Sequence, residues 1–173
     1  MRRVGKKETL GRNPEGLFLL DDFSSYLTHL ANSYIAQGNQ QIWLVLMAAV
    51  SGLALWRGGE PERVAAAGNL AAWFLTPLAQ VPIDLYDPQW GMLAVDAAFL
   101  GLLLTLSLRY DRVWLLFAAA FQLLGVVIHL AIVVDPSLRS LVYMRGLVIW
   151  SYLVLASLAV GAATTARRRM RTA

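Results

Sequence analysis

The sequence predicts an all-α integral membrane bundle with little chain left for an aqueous domain. Three observations predict it. Hydrophobic residues make up 58% of the 173 residues and charged residues only 15%, against about 45–50% and about 25% in soluble domains. Mean hydropathy is +0.55. Four or five apolar runs come near the ~20 residues that a helix needs to cross a ~30 Å hydrocarbon core. Such a composition excludes disorder and collagen-like repeats. The absence of cysteine excludes disulfides, thiol catalysis and thiolate metal sites.

Residues 1–15 are polar and basic, broken by Gly11 and Pro14, and are expected to be mobile. Residues 16–38 predict an amphipathic helix. Leu19/Leu20, Phe23, Tyr26/Leu27, Leu30/Ala31 and Tyr34/Ile35 recur with a 3.6-residue period. The opposite face, with Asp21, Asp22 and His29, keeps this helix out of the lipid interior. Two readings stay open for it: a helix lying at the interface or on the bundle, and a docking helix for a partner. No apolar stretch of 7–15 residues follows the basic start directly, so no cleaved signal peptide is expected.

The bundle occupies residues 40–165, with spans at about 41–57, 64–83, 90–108, 113–134 and 141–163. The first is at the lower length limit for crossing. A tight turn from Gly58 to Arg63 follows it, with Pro61 suited to a helix start. The second run carries Asn69, Thr76, Pro77, Gln80 and Pro82, which predicts a span kinked at Pro77. If it enters the membrane only halfway, the count falls to four. Asp84 to Gln89 form an acidic loop, and Arg109 to Arg112 a hairpin. Asp135-Pro136 closes the fourth run, and a basic tail at 166–173 follows the fifth.

Orientation follows from lysine and arginine in the short loops. There are two in the loop at 57–63, none at 84–89, two at 109–112, one at 135–140 and four in the tail. Five spans then place the C-terminus and both two-charge loops in the cytoplasm. The basic N-terminus, about 30 positions before the first span, carries little weight in this count. With a pI of about 9.8 the chain is basic. Its arginines sit at chain ends and in loops without interleaved aromatics, which fits anionic lipid rather than nucleic acid.

Ionisable side chains inside a span cost at least about 2.5–3.5 kcal/mol each, so they require partners or a function. Asp96, His129 and Arg145 all fall roughly 6–9 Å from the outer boundary at 1.5 Å per residue. The hairpin at 109–112 makes the third and fourth spans antiparallel neighbours, which sets Asp96 beside His129. Gln122 lies two turns before His129 on the same face. An Asp96–Arg145 ion pair with His129 beside it is geometrically plausible, either pinning the register of the last three spans or forming a proton or anion site; the alternative is that Arg145 snorkels outward. His129 has a further reading as an axial ligand of a tetrapyrrole, because Gly125 at i−4 would leave room for a flat ring. No other cofactor and no metal site is expected.

Small residues at Ala94, Ala97, Ala98 and Gly101 favour close helix contact, within the bundle or across an oligomer. Trp43, Trp56, Trp90, Trp114 and Tyr143 are placed as an interfacial aromatic belt, with Trp73 and Trp150 deeper in the core. No metalloprotease, phosphate-loop or serine-hydrolase motif is present. The sequence therefore reads as a non-enzyme.

The stretch from Asp96 to Tyr152 resembles a family of small, uncharacterised multi-spanning inner-membrane proteins of alphaproteobacteria. The resemblance is carried by Leu108-Arg109-Tyr110-Asp111-Arg112-Val113-Trp114, by Phe121-Gln122-Leu123-Leu124 with His129-Leu130-Ala131, by Asp135-Pro136, and by Ile149-Trp150-Ser151-Tyr152. It covers about a third of the chain and implies a bacterial inner membrane, with no activity attached. The leading expectation is a non-catalytic accessory subunit that binds a membrane-protein partner or a second copy of itself. The rivals are a small proton-coupled or anion carrier built on Asp96, His129 and Arg145, and a haem- or chlorophyll-binding subunit.

Overall fold

A computed structural model describes residues 38–79, 89–135 and 140–172, and within them every regular element is an α-helix. The N-terminal segment and the expected amphipathic helix lie outside the described residues, as do the loops at 80–88 and 136–139 and the side chains at 38–40, 140–145, 169, 171 and 172. Residues Ile42–Ala173 form one compact unit. The helices are α1 (Gly38–Arg57), α2 (Glu60–Ala79), α3 (Trp90–Arg109), α4 (Val113–Val134) and α5 (Ser140–Thr172).

Among the described residues, three helices are long and apolar enough to cross a membrane: α3, α4 and the stretch Gly146–Arg168 of α5. The apolar part of α1, Gln41–Arg57, is shorter. In α2, Glu60, Glu62 and Arg63 crowd the first turn, and Asn69, Thr76 and Pro77 dilute the rest. The α2 helix continues through Pro77 to Ala79, and Thr76 Oγ1 donates back to Ala72 O at 2.8 Å. Helix α5 runs unbroken through the arginines of the basic tail to Thr172.

Short turns set the packing. Tyr110 ends α3 in an extended conformation and donates its N–H to Leu106 O at 2.9 Å, and α4 begins three residues later. So short a link makes α3 and α4 antiparallel neighbours. The Glu60 carboxylate beside the Tyr110 hydroxyl raises the tyrosine pKa above its usual 10.0, which sets this hairpin next to the start of α2. Helices α2 to α5 close a ring, α2 against α3, α3 against α4, α4 against α5, and α5 back against α2. Helix α1 contributes Met47, Ser51 and Ala54 to the buried face, and Trp43 packs edge-on to Tyr152 of α5 with ring centres 4.7 Å apart.

The interior follows a regular spacing. On α3 the inward positions are Met92, Asp96, Phe99, Leu103 and Leu106, and on α4 they are Leu115, Ala118, Gln122, Gly125, His129 and Ile132. Alternate steps of three and four residues are the seam of left-handed, coiled-coil-like packing. Glycines admit the closest approaches. A Cβ on Gly161 would meet the Trp114 ring at 2.5 Å, one on Gly146 would meet Ile128 Cδ1 at 2.7 Å, and one on Gly125 would meet nothing within 4 Å.

These neighbours rank three substitutions. Gly161→Ala drives a methyl group into a rigid, hydrogen-bonded indole, an overpacking that costs about 1–3 kcal/mol. Gly146→Ala meets only the mobile end of an isoleucine and costs less, and Gly125→Ala is neutral or stabilising. Thermal unfolding of the three variants in one detergent should return that order.

Candidate functional site

The α3–α4 seam is apolar except where three polar side chains meet. Gln122 and His129 are seven residues apart on α4, so they share a face and bracket a point on the facing helix. Asp96 occupies that point. Gln122 Nε2 donates to Asp96 Oδ1 at 3.1 Å and to its main-chain oxygen at 3.3 Å. His129 Nε2 shares one hydrogen with Asp96 Oδ2 at 2.9 Å. The two carboxylate oxygens therefore serve different partners, the amide below and the imidazole above.

Exposure differs across the pair: the His129 side chain is 2% exposed and the Asp96 side chain 26%. The imidazole is sealed in the helix contact, while the carboxylate keeps an open edge. A carboxylate and an imidazole joined by one hydrogen bond can hold an added proton on either group. Of the four residues singled out in the sequence, the structure brings Asp96, Gln122 and His129 together. Arg145 lies on α5 with its side chain outside the described residues. Gly125, between Gln122 and His129, faces inward, and among the described residues no atom lies within 4 Å of where its Cβ would be. The ring of His129 nevertheless presents Nε2 to Asp96, so binding a tetrapyrrole through that atom would require the pair to open. Among the described residues no group of three or more metal-ligating side chains occurs.

A second buried carboxylate lies at the opposite, arginine-rich end. Glu62 is 0% exposed. It stands in the first turn of α2 and accepts the Gly59 N–H at 2.8 Å, as a capping-box glutamate does. Its other oxygen accepts Trp114 Nε1 at 3.2 Å and Thr165 Oγ1 at 3.0 Å. One carboxylate thus joins the α1–α2 turn, the first turn of α4 and the end of α5. The expected aromatic belt is corrected by this contact. Trp114 is buried and turned into the bundle, whereas Trp56, 72% exposed, and Trp90 face outward. The reason is chemical, since an indole N–H buried near the helix start is satisfied by Glu62. Trp150 is half-buried and stacks on Phe121 with centres 6.3 Å apart.

Sequence reasoning missed Glu62. It stands in a charged turn, and its side-chain partners are 52 and 103 residues away. The available signal was its position, the third helical residue after a glycine pair, where glutamate caps a helix.

No family model, curated protein or solved structure matches this chain.

Glu62→Ala leaves up to three buried donors without an acceptor, at about 1–3 kcal/mol for each one left unsatisfied. Glu62→Gln keeps the shape but sets an amide N–H₂ against at least one donor. We expect Glu62→Ala to unfold at markedly lower temperature than Glu62→Gln, and both below wild type. Equal melting of all three would show that the carboxylate is not a structural anchor.

Proposed function

We propose that the chain is a small multi-pass carrier of the bacterial inner membrane in which the Asp96–His129 pair takes up and releases a proton. The 2.9 Å contact between a sealed imidazole and a partly open carboxylate carries the reading. Ionisable groups within apolar helices are costly and mark ion pathways more often than surface charges do. In this reading all five helices cross, α1 and α2 being completed by their neighbours, and the C-terminus is cytoplasmic, the side that the arginine-rich turns and tail favour. A proton arriving at the open edge of Asp96 is held by its carboxyl, the hydrogen shared with Nε2 of His129 stays between the two groups, and Gln122 holds the other oxygen in either state. Proton occupancy changes the net charge of the seam, and this change is what drives a coupled carrier.

The test is proton entry into liposomes holding the purified chain, under an imposed pH gradient and membrane potential. Wild type is expected to exceed empty liposomes, and Asp96→Asn to return flux to that background while melting within about 1 kcal/mol of wild type, because an amide replaces the hydrogen bond. Wild-type flux at background, or unchanged flux in Asp96→Asn, overturns the reading.

One observation favours a second reading, that of an accessory subunit. Ala94, Ala97, Ala98 and Gly101 are exposed, and among the described residues Gly101 has no neighbour within 4 Å of a would-be Cβ. Outward small residues at this spacing suit the close approach of another transmembrane helix. A mild-detergent pull-down of the tagged chain from native membranes should then yield one stoichiometric partner, lost in Ala98→Leu. Recovery of the chain alone contradicts this reading.

A further inference from the structure

At the arginine-rich end the last turns of α1 and α5 leave a half-open cleft of about 240 Å³, lined by Trp56, Arg57, Ala166 and Met170. Trp56 is exposed and carries the Arg57 guanidinium over its ring, 4.6 Å from the centre. The cleft is apolar on the α5 side and basic on the α1 side. Arg167 and Arg168 follow Ala166 directly, and Arg167 is exposed.

The charge around it is strongly one-sided. This end holds eight arginines, two in each of the turns at 57–63 and 109–112 and four in the tail, against Glu60, Glu62 and Asp111. Glu62 is buried among neutral donors that leave its charge in place, so eight arginines against three acids give this end a net formal charge of +5 by sequence. That excess calls for an anion, while Trp56 and Met170 offer contact to hydrocarbon.

We propose that this cleft binds the headgroup of an anionic phospholipid, the phosphate meeting Arg57 and Arg167 and the upper acyl chain lying on Trp56 and Met170. The assignment rests on the reading above only in placing this end at the cytoplasmic headgroup level. It is independent of proton exchange at Asp96. A basic recess between helix ends on the cytoplasmic side is the arrangement that selects anionic headgroups.

The test is native mass spectrometry of the full chain released from detergent after incubation with equal amounts of phosphatidylglycerol and phosphatidylcholine. Wild type is expected to retain phosphatidylglycerol preferentially. Each arginine near a headgroup is worth roughly five-fold in affinity, so Arg57→Gln with Arg167→Gln should bring the two lipids to near parity. Ala166→Trp, which fills the cleft and leaves every charge in place, should do the same. Equal retention of both lipids by wild type overturns the proposal. So does selectivity that survives both variants, and so does displacement of the lipid by inorganic phosphate, which would make the cleft a site for a free anion. In each of these cases the flux test of Asp96→Asn still stands or falls by itself.

Discussion

The contact on which the bundle depends is the bracketing of Asp96 by Gln122 and His129. A carboxylate in an apolar helix cannot be left without partners in lipid, and here both of its oxygens are taken by one face of α4. The remaining inward positions of the α3–α4 seam are apolar and would tolerate a slide of one helix along the other. The polar trio does not tolerate it. A shift of one heptad, about 10.5 Å, would set one partner opposite Asp96 and strand the other. Polar groups in an otherwise apolar seam are known to fix register in this way. The same trio therefore positions the helices and, among the described residues of the seam, supplies its ionisable groups.

The other end of the bundle is held differently. Glu62 gathers three neutral donors from three parts of the chain, and Trp114, held by it, is the surface on which Gly161 of α5 closes. One carboxylate is sealed and serves as an anchor. The other keeps an edge open beside an imidazole. The difference in surroundings, rather than the presence of an acid, separates the structural role from the proposed functional one.

Much of this was legible in the sequence. The apolar runs place α3 and α4, and the four-residue turn at 109–112 forces them to be neighbours. From there a rise of 1.5 Å per residue brings Asp96 level with the stretch from Gln122 to His129. What was not legible depended on distant partners. Glu62 reads as a solvated turn residue until Trp114 and Thr165 are brought to it. Trp114 reads as an interfacial tryptophan because its place at a helix start suits either role. The outward direction of Ala94, Ala98 and Gly101 is set by which α3 positions pack on α2 and α4, and a helix apolar on all sides does not reveal this. In α2, charge, asparagine and proline weaken the local signal, and its inward face is defined by contacts such as that of Gly68 with Phe99 and Leu102.

The central claim is that the Asp96–His129 pair changes its proton occupancy within the bundle. Infrared difference spectroscopy of the full chain in lipid, stepped from about pH 4 to about pH 9, measures this directly. The account predicts a carboxyl band that appears and disappears with pH, coupled to a change in the imidazole bands, with both absent in Asp96→Asn and kept in His29→Gln. A carboxyl and an imidazole that stay silent across that range in the wild-type chain would contradict it, and would leave the pair as a fixed pin between α3 and α4.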